Sequence, residues 1–324
     1  MNESKQILSQ RRLVILFQLA ILLFILGGLF SAVLIDKKQA ASVPNTVNLQ
    51  NVPARPNVSD DVPKKLSEVE VRGKGAYVWD VKAKRALYAK NEDQALPLAS
   101  ITKLMTALLA YELVAADTDV KLSTRAVAQE GGDGLAAGED FSMGQLNKLA
   151  LISSSNDAAY ALGANAGALL GSQDPSRQFI EGMNIKAAEL NLNTLEFKNT
   201  TGLDLSTSEP GAVGSAKDVS HLMEYILQNY PELIESTTLG GARIYNSQGE
   251  YHDIENTNEV IYAIPNLLGS KTGYTDLAGG NLTVAFDAGM DRPIIVTVLG
   301  SSRDERFSDV LRLVNAVRAN ISEI

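Results

Sequence analysis

The longest apolar stretch of the 324-residue chain lies near its start. From Leu13 to Ile35, 23 residues, the only polar side chains are Gln18 and Ser31. As a helix rising about 1.5 Å per residue, that run would reach about 35 Å and cover a bilayer core. Lys5, Arg11 and Arg12 precede it. The positive-inside tendency therefore predicts a cytoplasmic N-terminus (1–12), a single transmembrane anchor (13–35) and an extracytoplasmic remainder, although Lys37 and Lys38 weaken the bias. Ala40, Ala41 and Ser42 would suit a cleavage site. Secretory apolar cores usually run to about 7–15 residues, however, and this one is longer, so an uncleaved anchor is expected. Residues 36–66 carry Pro44, Pro53, Pro56 and Pro63, which favour an extended linker.

Past the linker the pattern changes to that of a folded domain, 67–324. Residues 76–80 and 85–89 flank a Lys/Ala turn and predict a β-hairpin. Ile101, Leu104, Met105, Leu108 and Leu109 recur at helical spacing, predicting a helix that begins near Ser100. A capping box at Ser142–Gln145 opens a helix expected to run to about Leu151, and helices are also predicted over 178–190 and 216–227. Residues 282–286 and 293–299 are β-branched runs joined by a turn, hence a second hairpin. Phe307, Val310, Leu311, Val314, Val317 and Ile321 form one stripe of a closing helix that should pack on a sheet. Strands at both ends with helices between them imply an α/β (α+β) fold: an antiparallel sheet built from both ends of the domain, flanked by helices, with an inserted helical subdomain.

Composition narrows the chemistry. With 45% hydrophobic residues the chain can bury a full core, and a net charge of −9 argues against nucleic-acid binding, which needs clustered Lys and Arg. The absence of cysteine removes disulfides, thiolate catalysis and thiolate-ligated metals. The two histidines, His221 and His252, lack metal-ligand spacing and read as packing residues, so neither a metal site nor a Ser-His-Asp triad is expected.

Three short motifs remain. Ser100-Ile-Thr-Lys103 puts an amine one helical turn from a hydroxyl at a helix N-terminus, where developing negative charge is favoured and an ammonium disfavoured. Taken alone, Ser100 reads as a helix cap. Ser154-Ser-Asn156 follows one apolar helix and precedes another, so it reads as a tight connection. Lys271-Thr-Gly273 reads as an edge strand whose glycine lets another backbone come close. Together, and in this order, the three match the pattern of the penicillin-interacting serine enzymes.

On these motifs, and on Pro97–Ala107, Met183-Asn184, 197–203, 215–218 and 269–276 with Ala278-Gly279, the chain resembles the low-molecular-mass penicillin-binding proteins, specifically the serine D-alanyl-D-alanine carboxypeptidase family. The likeness runs from about Val69 to Val317. It implies a β-lactamase/transpeptidase-like fold and an acyl-enzyme on Ser100, with Lys103 as base, kept neutral by Lys271 and the helix terminus. Ser154 would relay the proton to the departing D-Ala, Asn156 would orient Lys103 and bind the substrate backbone, and Lys271 and Thr272 would hold the terminal carboxylate. The Ser100 and Tyr274 N–H groups would form the oxyanion hole, and Gly273 would admit substrate as an added strand.

The implied partners are a peptidoglycan stem peptide as substrate, β-lactams as covalent inhibitors and the membrane, with no cofactor. The family's frequent C-terminal β-rich domain and amphipathic anchor are not expected here, which puts its usual substrate presentation in doubt. Endopeptidase cleavage of cross-links would use the same residues. A β-lactamase would need a further carboxylate, for which Glu189-Leu-Asn191 is a poor candidate, and a non-turnover penicillin-binding sensor or scaffold would not require a nucleophile with its base.

Overall fold

The computed structural model describes residues 66–321 other than Asp133 and Ser172, all within one compact unit, residues 56–324. The expected cytoplasmic segment 1–12, the anchor 13–35 and the linker up to residue 65 lie outside the described residues. Among the described residues no helix is long and apolar enough to cross a membrane.

In chain order the strands of five or more residues are β1 (Gly75–Asp80), β2 (Arg85–Lys90), β3 (Gly241–Tyr245), β4 (Tyr251–Glu255), β5 (Leu267–Thr275), β6 (Gly279–Asp287) and β7 (Pro293–Ser301). Five of them form one antiparallel sheet in the order β5-β6-β7-β1-β2. The first hairpin and the last three strands thus meet in one sheet, as the two-ended pattern predicts, and β5 lies at its edge. Among the helices, α1 (Lys103–Leu113), α2 (Met143–Lys148), α3 (Asn156–Leu170), α4 (Pro175–Glu189) and α5 (Ala216–Asn229) fall between the two halves of the sheet, and α6 (Glu305–Ala319) closes the described chain.

Period-two alternation divides the sheet side chains between two cores. Val78, Leu282, Val284, Phe286, Ile294, Val296 and Val298 pack with Phe307, Val310, Leu313, Val314 and Val317 of α6. Tyr77, Ala285, Ile295 and Leu299 face the helical core of Leu104, Leu108, Leu146, Leu162, Phe179 and Ile226. Because both faces are covered, these strands read in sequence as continuous apolar runs rather than as alternation. Hydroxyls on the helical face satisfy one another: Thr297 Oγ1 lies 2.8 Å from Thr283 Oγ1 and 2.7 Å from Ser220 Oγ of α5. The buried Asp309 of α6 accepts from Arg72 N (3.0 Å), Gly73 N (2.9 Å), Ser301 Oγ (2.8 Å) and Arg312 Nη1 (2.8 Å), tying the start of the folded chain to its closing helix.

Two expectations are corrected, and one element had none. The helix near Ser100 begins as a 3-10 turn, Ala99–Thr102, and becomes α-helical only at Lys103. The helix opened by the Ser142 capping box ends as α-helix at Lys148 and continues as a π-helical turn, Leu149–Ser153. The hairpin β3–β4 has no counterpart in the sequence pattern. Its face bearing Arg243, Tyr245, Tyr251 and Asp253 is exposed, so no long apolar run announces it.

Candidate active site

Residues from distant parts of the sequence hold the turn that carries Ser100. Leu98 N donates to Ala212 O (3.0 Å), and the Asn281 amide of β6 donates to Pro97 O (2.9 Å) and Leu98 O (3.0 Å). Ala99 takes φ 49°, a left-handed conformation that disfavours a residue with a Cβ. Its carbonyl accepts from Thr102 Oγ1 (2.7 Å), and a Cβ on Gly202, itself at φ 80°, would stand 1.9 Å from that oxygen. Strain of this kind persists only where surroundings over-determine it. The outcome is that the Ser100 hydroxyl is not spent on capping: neither the 3-10 turn nor α1 has a side-chain cap.

Lys103, fully buried, places Nζ 2.7 Å from Ser100 Oγ, 2.7 Å from Asn156 Oδ1 and 2.9 Å from the Thr201 carbonyl. Asn156 and Thr201 thus offer acceptors for two N–H groups of an amine, and the third direction points at the hydroxyl. A neutral amine there can donate twice and accept the Ser100 proton with its lone pair, the arrangement general-base activation needs.

The π-helical turn delivers the second motif. It ends at Ser154 in a left-handed conformation (φ 64°, ψ 29°), after which Ser155 caps α3, its side chain accepting from Ala158 N at 3.0 Å. Ser154 and Asn156 therefore point into the site while Ser155 is consumed by the helix start. Asn156 Nδ2 donates to Glu130 O (2.7 Å), which fixes the amide so that Oδ1 faces Lys103.

β5 supplies the third. Lys271 Nζ donates to Ser154 Oγ (2.9 Å) and to Thr272 O (3.0 Å). Burial holds its pKa well below the ordinary lysine range, with the charges of Lys103 and Arg306 acting in the same direction. Ser270 N turns away from β6 to Thr237 Oγ1 (2.9 Å). By the two-residue period, the Thr272 and Tyr274 backbone groups share that open edge. A Cβ on Gly273 would stand 2.8 Å from Leu98 O and 3.2 Å from Ser100 N, so the backbone that this glycine admits is the nucleophile's own turn.

The structure brings all eight predicted site residues together: Ser100, Lys103, Ser154, Asn156, Lys271, Thr272, Gly273 and Tyr274. It also adds groups absent from the sequence reading: the carbonyls of Thr201 and Glu130, the hydroxyl of Thr257 (2.5 Å from Thr272 Oγ1), and the buried Arg306, whose Nη1 donates to Gly273 O (2.9 Å). Of these, only Thr201 had a sequence signal, as part of the 197–203 run. Both histidines lie elsewhere in structural roles. His221 Nδ1 is 3.1 Å from Glu224 Oε2 and its ring meets Trp79 edge-on, whereas His252 Nε2 is 2.8 Å from Glu139 Oε1. Glu189 is exposed at the end of α4 in a separate surface groove with Leu170 and Ile185, away from Ser100. Among the described residues there is no cluster of three or more metal-ligating side chains.

A sequence-family model described as D-alanyl-D-alanine carboxypeptidase matches residues 62–303, three quarters of the chain and every site residue but Arg306. The chain belongs to that family.

The D-alanyl-D-alanine carboxypeptidase DacF of Bacillus subtilis (strain 168) is 31% identical over 258 residues, covering 78% of this chain and 64% of that one. The chain thus spans slightly under two thirds of that relative's length. A D-alanyl-D-alanine endopeptidase of Escherichia coli (strain K12) is 27% identical over 253 residues, 76% of this chain and 77% of that one. Among solved structures, the cefotaxime-bound form of penicillin-binding protein D2 from Listeria monocytogenes is similar with a TM-score of 0.66 and 27% identity, over 76% of this chain and 98% of that one. The fold expected from the sequence, a transpeptidase-like sheet with an inserted helical region, is the one that this structural similarity supports.

Proposed function

We propose that the protein is a serine-type D-Ala-D-Ala carboxypeptidase that removes the terminal D-Ala from peptidoglycan stem peptides through an acyl-enzyme on Ser100. The observation that carries this reading is the contact of 2.7 Å between the buried Lys103 amine and the Ser100 hydroxyl. In the proposed cycle Ser100 Oγ attacks the carbonyl carbon of the penultimate D-Ala while Lys103 Nζ takes its proton. The N–H groups of Ser100 and Tyr274 hold the resulting oxyanion. Collapse breaks the peptide bond, the proton reaches the leaving amine through Ser154, and free D-Ala departs. Water then attacks the ester, returning the proton to Ser100 and releasing the shortened peptide.

Lys271 and Thr272 receive the terminal carboxylate. Burial disfavours the charged form of Lys271, and an arriving carboxylate opposes that effect, so anion binding and lysine protonation reinforce each other. The open edge of β5, through the Thr272 and Tyr274 backbone groups, admits the substrate backbone, with Asn156 binding it from the opposite side. β-Lactams would acylate the same Ser100 as covalent inhibitors.

Cleavage of cross-links is the second reading, favoured by the similarity to a relative named as an endopeptidase. Incubating the purified protein with a pentapeptide and with cross-linked muropeptides separates the two. Release of D-Ala from the pentapeptide alone supports the carboxypeptidase, and cleavage of the dimer alone overturns it.

The apolar run 13–35 supports a single-pass anchor with the catalytic domain outside the cytoplasm. Sedimentation of the full chain with membranes, and release of a form lacking residues 1–36, is the expected result. A full chain that remains in the supernatant would remove the anchor from the account.

A further inference from the structure

Thr257 lies on the segment that follows β4, 15 residues before Thr272 and outside all three motifs, and its hydroxyl is 2.5 Å from that of Thr272. We propose that Thr257 is a positioning residue that aims the Thr272 hydroxyl at the terminal carboxylate of the substrate, an inference that rests on the function proposed above.

The argument begins with the proton count. An ionised carboxylate only accepts hydrogen bonds, so Thr272 can serve it only by donating its single proton. Left alone, a threonine hydroxyl rotates among several orientations and spends that proton on any nearby acceptor. A second hydroxyl that donates into its lone pair removes those alternatives, leaves the Thr272 proton for the open edge of β5, and polarises the bond that it makes there.

Thr257 is mounted for this task. Its N–H donates to Ile152 O (3.2 Å) within the π-helical turn that leads to Ser154. The neighbouring Asn256 amide donates to Thr237 O and Leu239 O, both at 2.8 Å, while Asn256 Oδ1 accepts from Asn258 N (2.8 Å). Thr237 in turn accepts from Ser270 N of β5 through its hydroxyl (2.9 Å). One tether therefore spans the turn that carries Ser154 and the strand that carries Lys271 and Thr272, with Thr257 at its centre.

The test compares a D-Ala-D-Ala-terminated peptide with the same peptide bearing a C-terminal carboxamide, using the full protein and its Thr257→Val and Thr257→Ser variants. Valine keeps the shape and removes the hydroxyl, whereas serine keeps the hydroxyl. Thr257→Val is expected to raise KM for the free acid about tenfold and to lower the acid-over-amide preference in kcat/KM by the same factor. The amide rate should stay near the wild-type value, and Thr257→Ser should retain the preference. Equal losses on both peptides, or an unchanged preference, would overturn the inference. If Thr257→Val does not fold, Thr257→Ala is read by the same criterion. A wild type that releases neither D-Ala from the free acid nor D-alaninamide from the amide overturns the proposed function and this inference with it, whereas an active wild type with an unmoved preference in the variant overturns this inference alone.

Discussion

Ser154 and Asn156, two residues apart in one tight connection, each engage a buried lysine from a different part of the fold: Lys271 Nζ lies 2.9 Å from Ser154 Oγ and Lys103 Nζ 2.7 Å from Asn156 Oδ1. The connection therefore keeps two potential cations in one pocket, each held by a neutral partner. There the charge of Lys103 adds to the burial that holds the Lys271 pKa well below the ordinary lysine range.

Lys103→Ala tests the assignment of Lys103 as the base. Removing the amine should leave the fold intact, as judged by circular dichroism, and reduce acylation of Ser100 by at least about a thousandfold, the range expected for loss of a base that activates a nucleophile. Acylation at the wild-type rate would remove Lys103 as the base.

Gly273→Ala probes the approach of β5 to the nucleophile. The added Cβ would meet backbone atoms at 2.8 Å and 3.2 Å, which cannot rotate away, so the strand must shift from Ser100. A 1 Å displacement in a positioned site costs about a hundredfold in rate, and the expected signature is a fall in kcat with little loss of melting temperature. Unchanged kcat would mean that the oxyanion donors are not set by this contact.

Much of this arrangement is legible in the sequence because it is local. Ser100 and Lys103 share a helical face by spacing alone, and the turn chemistry around Ser154 follows from a serine run between two apolar segments. The edge position of Lys271-Thr-Gly is signalled by the glycine. What could not be read depends on contacts that no local pattern announces. Thr257 meets Thr272 from the irregular segment after β4, 15 residues earlier in the chain, and Arg306 reaches Gly273 O from a helix that otherwise reads as plain packing. The π-helical turn is hidden because Leu149–Ile152 are as apolar as a continuing α-helix would be.

Lys271 should make stability depend on pH. Its pKa is depressed in the folded state, so the unfolded chain binds the extra proton between that value and about 10.5. Stability therefore rises with pH across that window. Lys271→Met is expected to abolish turnover yet to melt above the wild type, with the difference largest at low pH and shrinking as pH approaches 10.5. A difference that does not change with pH would contradict the depressed pKa.

Glu224 acts in the opposite direction. Its hydrogen bonds from His221 and Lys84 outweigh the burial that would raise its pKa and bring it down to about 2. The stability it contributes is present above the unfolded value of about 4.5 and is lost as pH falls through the folded value. Glu224→Gln should lower stability at neutral pH by on the order of 2 kcal/mol, and urea unfolding should show the gap to wild type closing between pH 4.5 and 2. A gap that persists at pH 2 would mean that the residue acts through packing alone.

The central claim, that Ser100 is the acylated nucleophile of a D-Ala-D-Ala carboxypeptidase, is tested most directly by mass spectrometry of the intact protein after exposure to benzylpenicillin, with peptide mapping of the adduct and a parallel assay of D-Ala released from a pentapeptide. The account predicts one penicilloyl group on Ser100, no adduct on Ser100→Ala, and D-Ala release that the antibiotic blocks. An unlabelled wild type, or a label on a different serine, would contradict it.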